Sequence, residues 1–407
     1  MKKYSVFIVF LLLNNILFCQ GVWQAKSNMP EKGRYASYFF SINGKGYIGG
    51  GETSTGAYEN DLWEFDPATG IWSQKADFGG GNIYGPAVFV INNTPYVCTG
   101  TNINNQFKNF VWAYDAQNNS WTQKNNFPGT SRYGAYAFSL GTKGYIGMGQ
   151  NAGSLNDFWE YEPTTDSWTQ RTNFASGSRY GAIAFSINGK GYAGFGSSQG
   201  NTINYNDFYE YEPTTFSWTQ KASFPGLPRN NPARFVINGI AYVGAGNPEV
   251  NYNPNPNYSS DFYAYAPLSN QWTSIATFPG SQRTCAASFS INNKGYVGTG
   301  LSGSPQFLYL GDFWEYTPSS TSINENINNA IGDVRIDQTN KYVCLSVKDN
   351  YLPVNFIIYD LTGRIVTNVN VTNASQNIKI NNLSKGTYIY SINNKDKYIK
   401  SDKFIIF

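Results

Sequence analysis

The chain has 407 residues and not one histidine. That removes the commonest general base and the commonest metal ligand, and it excludes a Ser-His-Asp set. Cysteine is scarce: Cys19, Cys98, Cys285 and Cys344 show no CxxC pair, no zinc spacing and no disulfide framework. They read as small thiols on strands, with Cys19 in a leader. Charged residues are 14% of the chain, well under the roughly 25% of an average globular protein. A net charge of +3, with no basic run among aromatics, gives no argument for a nucleic-acid partner. Beyond the first twenty residues no run reaches the roughly 18 apolar residues of a transmembrane segment. There is no P-loop, and the GxG sequences lie inside strand-like repeats rather than before helices. Nothing here implies a cofactor, a metal or a catalytic residue.

Aromatics and turn formers are plentiful: 31 Tyr, 28 Phe, 10 Trp, 41 Gly and 18 Pro. That mixture suits many short strands joined by tight turns. At the N-terminus, Lys2 and Lys3 precede the apolar run Val6 to Leu13, which reads as a signal peptide over residues 1–20 with cleavage near Cys19–Gln20. Phe18 is not the small residue that lipidation of Cys19 requires.

Repetition dominates the rest. One motif reads NDLWEFDP at 60–67, NFVWAYDA at 109–116, NDFWEYEP at 156–163, NDFYEYEP at 206–213, SDFYAYAP at 260–267 and GDFWEYTP at 311–318. A second precedes each copy and is centred on Tyr47, Tyr96, Tyr145, Tyr192, Tyr242 and Tyr296, spaced 49, 49, 47, 50 and 54 residues apart. Trp23, Trp72, Trp121, Trp168, Trp218 and Trp272 keep the same spacing. Each unit reads as four antiparallel strands, with Asn43-Gly44, Asn188-Gly189 and Asn238-Gly239 as type I′ hairpin turns. A period near 50 with these aromatic and glycine markers resembles the Kelch family over residues 21–318, which implies an all-β, six-bladed β-propeller. The phase adds a detail. Trp23 marks a fourth strand with no first three before it, and the last unit ends at Pro318 without its own Trp. The N-terminal strand is therefore expected to complete the last blade and remove the open edge.

Residues 319–333 read as a polar linker and residues 334–407 as a small β-sandwich. YDLTGRIV, NNLSKGTYIYSI and KSDKFIIF resemble the C-terminal sorting domain of the Bacteroidetes type IX secretion system. The resemblance implies passage through the periplasm, engagement of the type IX machinery, and release or attachment at the outer cell surface.

Asp61, Asp157, Asp207, Asp261 and Asp312 share one repeat position and read as turn-holding residues. Glu64, Glu160, Glu210 and Glu315 share another and read as solvated or as pairing between blades. Arg34, Arg132, Arg179, Arg229 and Arg283 precede the first strand of five blades, with Ile83 in the second. They read either as braces or as an anion-binding ring at the channel mouth. The irregular loops between second and third strands are where binding residues gather on such frames. The longest, Asn247–Ser260, carries Tyr252 and Tyr258, which read as exposed rings for stacking on sugar or peptide, or as a tolerated insertion. The expected function is a secreted or surface binding module for a glycan or protein ligand. The alternatives are a structural surface component and an acidic-sugar enzyme of the sialic-acid epimerase type. The enzyme would need an unrepeated carboxylate such as Glu31, Glu52, Glu59 or Glu249 to meet the arginines in one pocket.

Overall fold

The structure is a computed structural model that describes residues 21–30, 32–251, 253–303, 306–318, 331–337, 341–347, 352–360, 363–394 and 397–406. The expected leader, Glu31, Tyr252 and most of the expected linker lie outside the described residues. The chain divides into two compact units, Gln20–Pro318 and a second that holds Ser319–Phe407.

The larger unit is built from four-stranded antiparallel blades. In blade 1 the order is Tyr38–Ile42, Lys45–Gly49, Leu62–Asp66 and Ile71–Lys75. Blades 2 to 5, over residues 87–124, 136–171, 183–220 and 233–274, repeat that order, and the sixth blade follows. The sixth sheet runs Ala287–Ile291, Lys294–Gly298, Phe313–Thr317 and then Val22–Lys26, with Trp23 opposite Tyr316 and Lys26 opposite Phe313. The first and last parts of the propeller thus share one sheet, and the ring has no free blade edge there.

Burial follows strand position. The second strand of each blade is almost wholly buried, as in Lys143–Gly147, while the outermost strand keeps chiefly its Trp out of solvent. The glycine before the strand-two tyrosine of blades 1, 3, 4 and 6 has a packing reason. A Cβ on Gly144 would overlap the ring of Phe89, which reaches over from the preceding blade. Gly191 and Gly295 make the same room for Phe138 and Phe235. The tryptophans tie blades together from outside. Trp121 Nε1 donates to Ala76 O at 3.1 Å, Trp272 Nε1 to Ala222 O at 2.9 Å, and Trp23 Nε1 to Ala276 O at 3.1 Å.

Glu64, Glu160 and Glu315 are buried and Glu210 is half-buried, each held within its own blade, which corrects their expected solvated or interblade role. Glu160 accepts from Lys143, Tyr145 and Arg171, all of blade 3. Glu315 is held likewise by Lys294 and Tyr296, and also by Lys26 of the closing strand. Burial alone would raise these carboxyls, but the cations and the tyrosine hydroxyls outweigh it and hold Glu64, Glu160, Glu210 and Glu315 below the ordinary value of 4.5. A folded-state value below the unfolded one adds stability above the unfolded value, and that stability is lost as pH falls through the folded value. The urea midpoint is therefore expected to be flat from about pH 8 to about pH 5.5 and to fall steadily below about pH 4.5. A midpoint unchanged down to about pH 3 would contradict the pairing.

In the second unit, Ile331–Asp337, Tyr342–Val347 and Ser375–Lys379 form one sheet. Ile365–Val371, Val354–Tyr359, Gly386–Asn394 and Lys397–Ile406 form another. Val343, Leu345 and Ile378 of the first share one apolar core with Phe356, Ile358 and Ile392 of the second, as the two inner faces of a sandwich do. Among the described residues no helix is long and apolar enough to cross a membrane.

Candidate functional site

The five repeat arginines are not an open ring. Arg34 is 1% exposed and Arg132, Arg179, Arg229 and Arg283 are 0% exposed. Each forks onto the aspartate of its own blade. Arg132 Nη1 reaches Asp157 Oδ1 at 2.5 Å and Nη2 reaches Oδ2 at 2.7 Å; Nη1 also donates to Met148 O and Nε to Thr130 O. The pairs Arg34–Asp61, Arg179–Asp207, Arg229–Asp261 and Arg283–Asp312 repeat the fork. The guanidiniums of Arg132, Arg179, Arg229 and Arg283 also lie over Phe127, Phe174, Phe224 and Phe278. With their Nη donors engaged by carboxylate and carbonyls, these arginines brace the loop entering five of the blades and offer no open fork to a ligand; Arg179 Nε alone of their donors is buried with no partner among the described residues. The aspartates are correspondingly ion-pair partners and not Asx-turn residues. Burial would raise Asp157 and Asp312, but their arginines outweigh it and hold both low.

Blade 2 shows that the pair is one unit. Ile83, 0% exposed, stands where the others have Arg, and Phe110 stands where they have Asp. Trp63, Trp159 and Trp314 donate Nε1 to their aspartates, and Trp112 Nε1 in blade 2 is left buried with no partner among the described residues. Both lapses falling in one blade is a signal of contact that the sequence already carried.

Two residues beyond each arginine position the chain forms a constriction. Gly85 N donates to Ala36 O, Gly134 N to Gly85 O, Gly181 N to Gly134 O, Asn231 N to Gly181 O, Cys285 N to Asn231 O and Ala36 N to Cys285 O. The six bonds close a ring across the channel. All six residues have positive φ, from 49° to 61°, and Gly85, Gly134 and Gly181 adopt it without a Cβ penalty. Just outside the ring stand Tyr35, Tyr84, Tyr133 and Tyr180 in blades 1 to 4 and Asn230 and Thr284 in blades 5 and 6. Tyr35 meets Tyr84 edge-on at 5.4 Å, Tyr84 meets Tyr133 at 6.1 Å, and Tyr58 and Phe107 stack behind Tyr84 and Tyr133. The result is an aromatic cup floored by backbone amides. Burial raises the tyrosine hydroxyls, so they remain neutral donors at physiological pH.

Glu52 sits at the cup wall, accepting from Tyr35 at 2.9 Å and Tyr309 at 3.0 Å. Glu249 folds the Asn247–Ser260 loop by accepting from Asn253 and from Asn257 N. Beside Tyr180 that loop encloses a hollow of about 390 Å³ with Asn201, Asn247, Glu249, Tyr258 and Phe307 in its lining and no cation among the described residues. Tyr258 is only 7% exposed, which corrects its expected role as a free stacking ring. Glu59 does share a hollow with Arg34, but Asp61 already occupies that guanidinium. The cup tyrosines were missed by sequence reasoning, although the recurrent Arg-Tyr and Ile-Tyr dipeptides at the channel mouth would have revealed them.

These features define a class: a β-propeller with a loop-face cup. Residues 20–177 match the model of the KLHDC2/KLHL20/DRC7 Kelch-repeats domain, and residues 339–407 match that of the secretion system C-terminal sorting domain. The chain therefore combines a Kelch-repeat propeller with a type IX sorting domain, which directs it to the outer cell surface or to secretion. A solved structure of YjhT shares the fold, with a TM-score of 0.62 at 16% identity, covering 73% of this chain and 98% of that one. No curated protein matches the chain.

Proposed function

We propose that this exported propeller is a carbohydrate-binding module whose ligand, an uncharged glycan, sits in the tyrosine cup and the adjoining hollow. The observation that carries the reading is the Tyr35, Tyr84, Tyr133 and Tyr180 cluster around a closed channel mouth. Half-buried tyrosines present apolar faces with hydroxyl rims, the combination that suits a sugar ring with its own apolar and hydroxyl faces. Asn201, Asn230 and Asn247 add amide groups nearby. The carboxylate of Glu249 in the hollow's lining favours a neutral ligand over an acidic one. The acidic-sugar enzyme draws no support from the arginines, whose forks are filled by aspartates.

The test is binding of the full chain to an array of neutral and acidic glycans. Neutral glycans are expected to bind, and Tyr84→Ala and Tyr133→Ala are each expected to weaken binding about tenfold through lost ring contact. Binding confined to acidic glycans, or undiminished in both variants, would reject the cup as the site. No glycan binding by folded protein would turn the search to protein partners of the loops.

A further inference from the structure

The first strand of every blade turns the residue before its buried phenylalanine toward the channel. Those residues are Phe39, Val88, Ala137, Ala184, Arg234 and Ser288. Five are apolar or small, and one is a cation. Arg234 Nε donates to Ala184 O at 3.0 Å, and its guanidinium lies 5.2 Å from the ring centroid of Phe39 on a non-adjacent blade. Its backbone N donates to Ser288 Oγ at 2.9 Å. No carboxylate among the described residues pairs with Arg234, in contrast to the five arginines of the repeat.

The surroundings make that cation unusual. It borders a chamber of about 120 Å³ under the amide ring and a wider length of channel of about 290 Å³. Protein surrounds it on all sides but the lumen, and that burial lowers its pKa to about 10. One end of the channel is stopped by the ring of amides, whose N–H groups are all spent on one another. Below Arg234 the lumen carries the hydroxyls of Ser41, Ser139, Ser186 and Ser290, and Ser139 Oγ is buried with no partner among the described residues. A charge in such a place is costly without a counterion, and the described residues supply none.

We propose that the central channel is an anion site, in which the Nη pair of Arg234 holds a small carboxylate that enters from the mouth opposite the tyrosine cup. Nε is already committed to Ala184 and the guanidinium is steadied over Phe39, so the fork is fixed with its Nη edge free. A planar fork matches a carboxylate in a way that a spherical ion does not. Serine hydroxyls along the lumen supply further donors. The site lies on the other side of the amide ring from the cup and does not depend on the glycan reading.

Formate is the probe. The melting temperature of the full chain is followed against formate and against chloride at constant ionic strength, for wild type, Arg234→Met and Arg234→Lys. Wild type should show a saturable rise with formate that chloride does not reproduce, because a ligand that binds only the native state stabilises it by mass action. Arg234→Met should lose the rise. Arg234→Lys, which keeps the charge without the fork, should need at least about tenfold more formate. A formate response shared by Arg234→Met, or equal responses to formate and chloride in wild type, would overturn the assignment. If Arg234→Met does not fold, an undiminished response in Arg234→Lys overturns it instead. Glycan binding at the cup is expected to be unchanged in any folded variant, which separates failure here from failure of the cup.

Discussion

Asp157→Ala is expected to cost the propeller about 3–5 kcal/mol, the range for removing one partner of a buried pair. The change strands Arg132, 0% exposed, with a guanidinium that loses both limbs of its fork. Arg132→Ile alone should also be strongly destabilising, because Asp157 and Trp159 Nε1 then keep only each other. The informative variant carries both Arg132→Ile and Asp157→Phe, the combination that blade 2 already uses at Ile83 and Phe110. An apolar pair of suitable shape can replace a buried ion pair at little cost. The double variant should therefore recover at least half of the loss, a coupling that a urea-denaturation double-mutant cycle measures directly. Strictly additive losses would show that the arginine and aspartate do not act as one unit.

Trp23→Ala should be nearly as damaging, at about 3 kcal/mol, the lower end for a large aromatic truncated in a core. Trp23 is only partly buried, but its ring packs against Phe235, Phe262, Phe278 and Tyr316. Its Nε1 bond to Ala276 links the closing strand to blade 5. The loss falls where the first strand of the propeller completes its last sheet. Gln24→Ala, on the same strand but exposed, is the control and should change stability by less than about 0.5 kcal/mol. A Trp23→Ala loss no larger than the control's would mean that the N-terminal strand is dispensable for closure.

The same strand shows how far a sequence can be read. Its role was legible because repetition fixes phase: a fourth-strand marker with no preceding three has only one vacancy to fill. Blade order, the Asn-Gly turns and the six-fold count follow from the same logic, since each unit repeats one local solution to burying one face of a short sheet. Asn43, Asn188 and Asn238 have the positive φ that such turns require, followed by glycines at 74°, 77° and 76°. The Kelch and sorting-domain resemblances rested on equally local signals.

The candidate site was less legible. The five arginines were visible as a set, but their chemistry depends on a partner 25 to 32 residues away. Only the fold brings Arg132 against Asp157 with the surrounding loops drawn over both. Tyr258 looked exposed among prolines and asparagines, yet its loop folds back through Glu249 and buries it. Arg234 lies outside the repeated motif and so carries no sequence signal, and only a closed ring of first strands turns that position into the wall of a channel.

The sequence by itself thus determined the number of blades, the order of their strands, the closing strand and the export tail. Each of these is a periodic or local property, set by turn chemistry, alternation and motif spacing. Tertiary structure alone decided which charges are spent and which are free. Five arginines are neutralised by aspartates of their own blades, and a sixth faces a lumen with no carboxylate among the described residues to meet it. The physical reason is that the effect of a charge depends on its distance to other charges and on the water around it, and ring closure sets both.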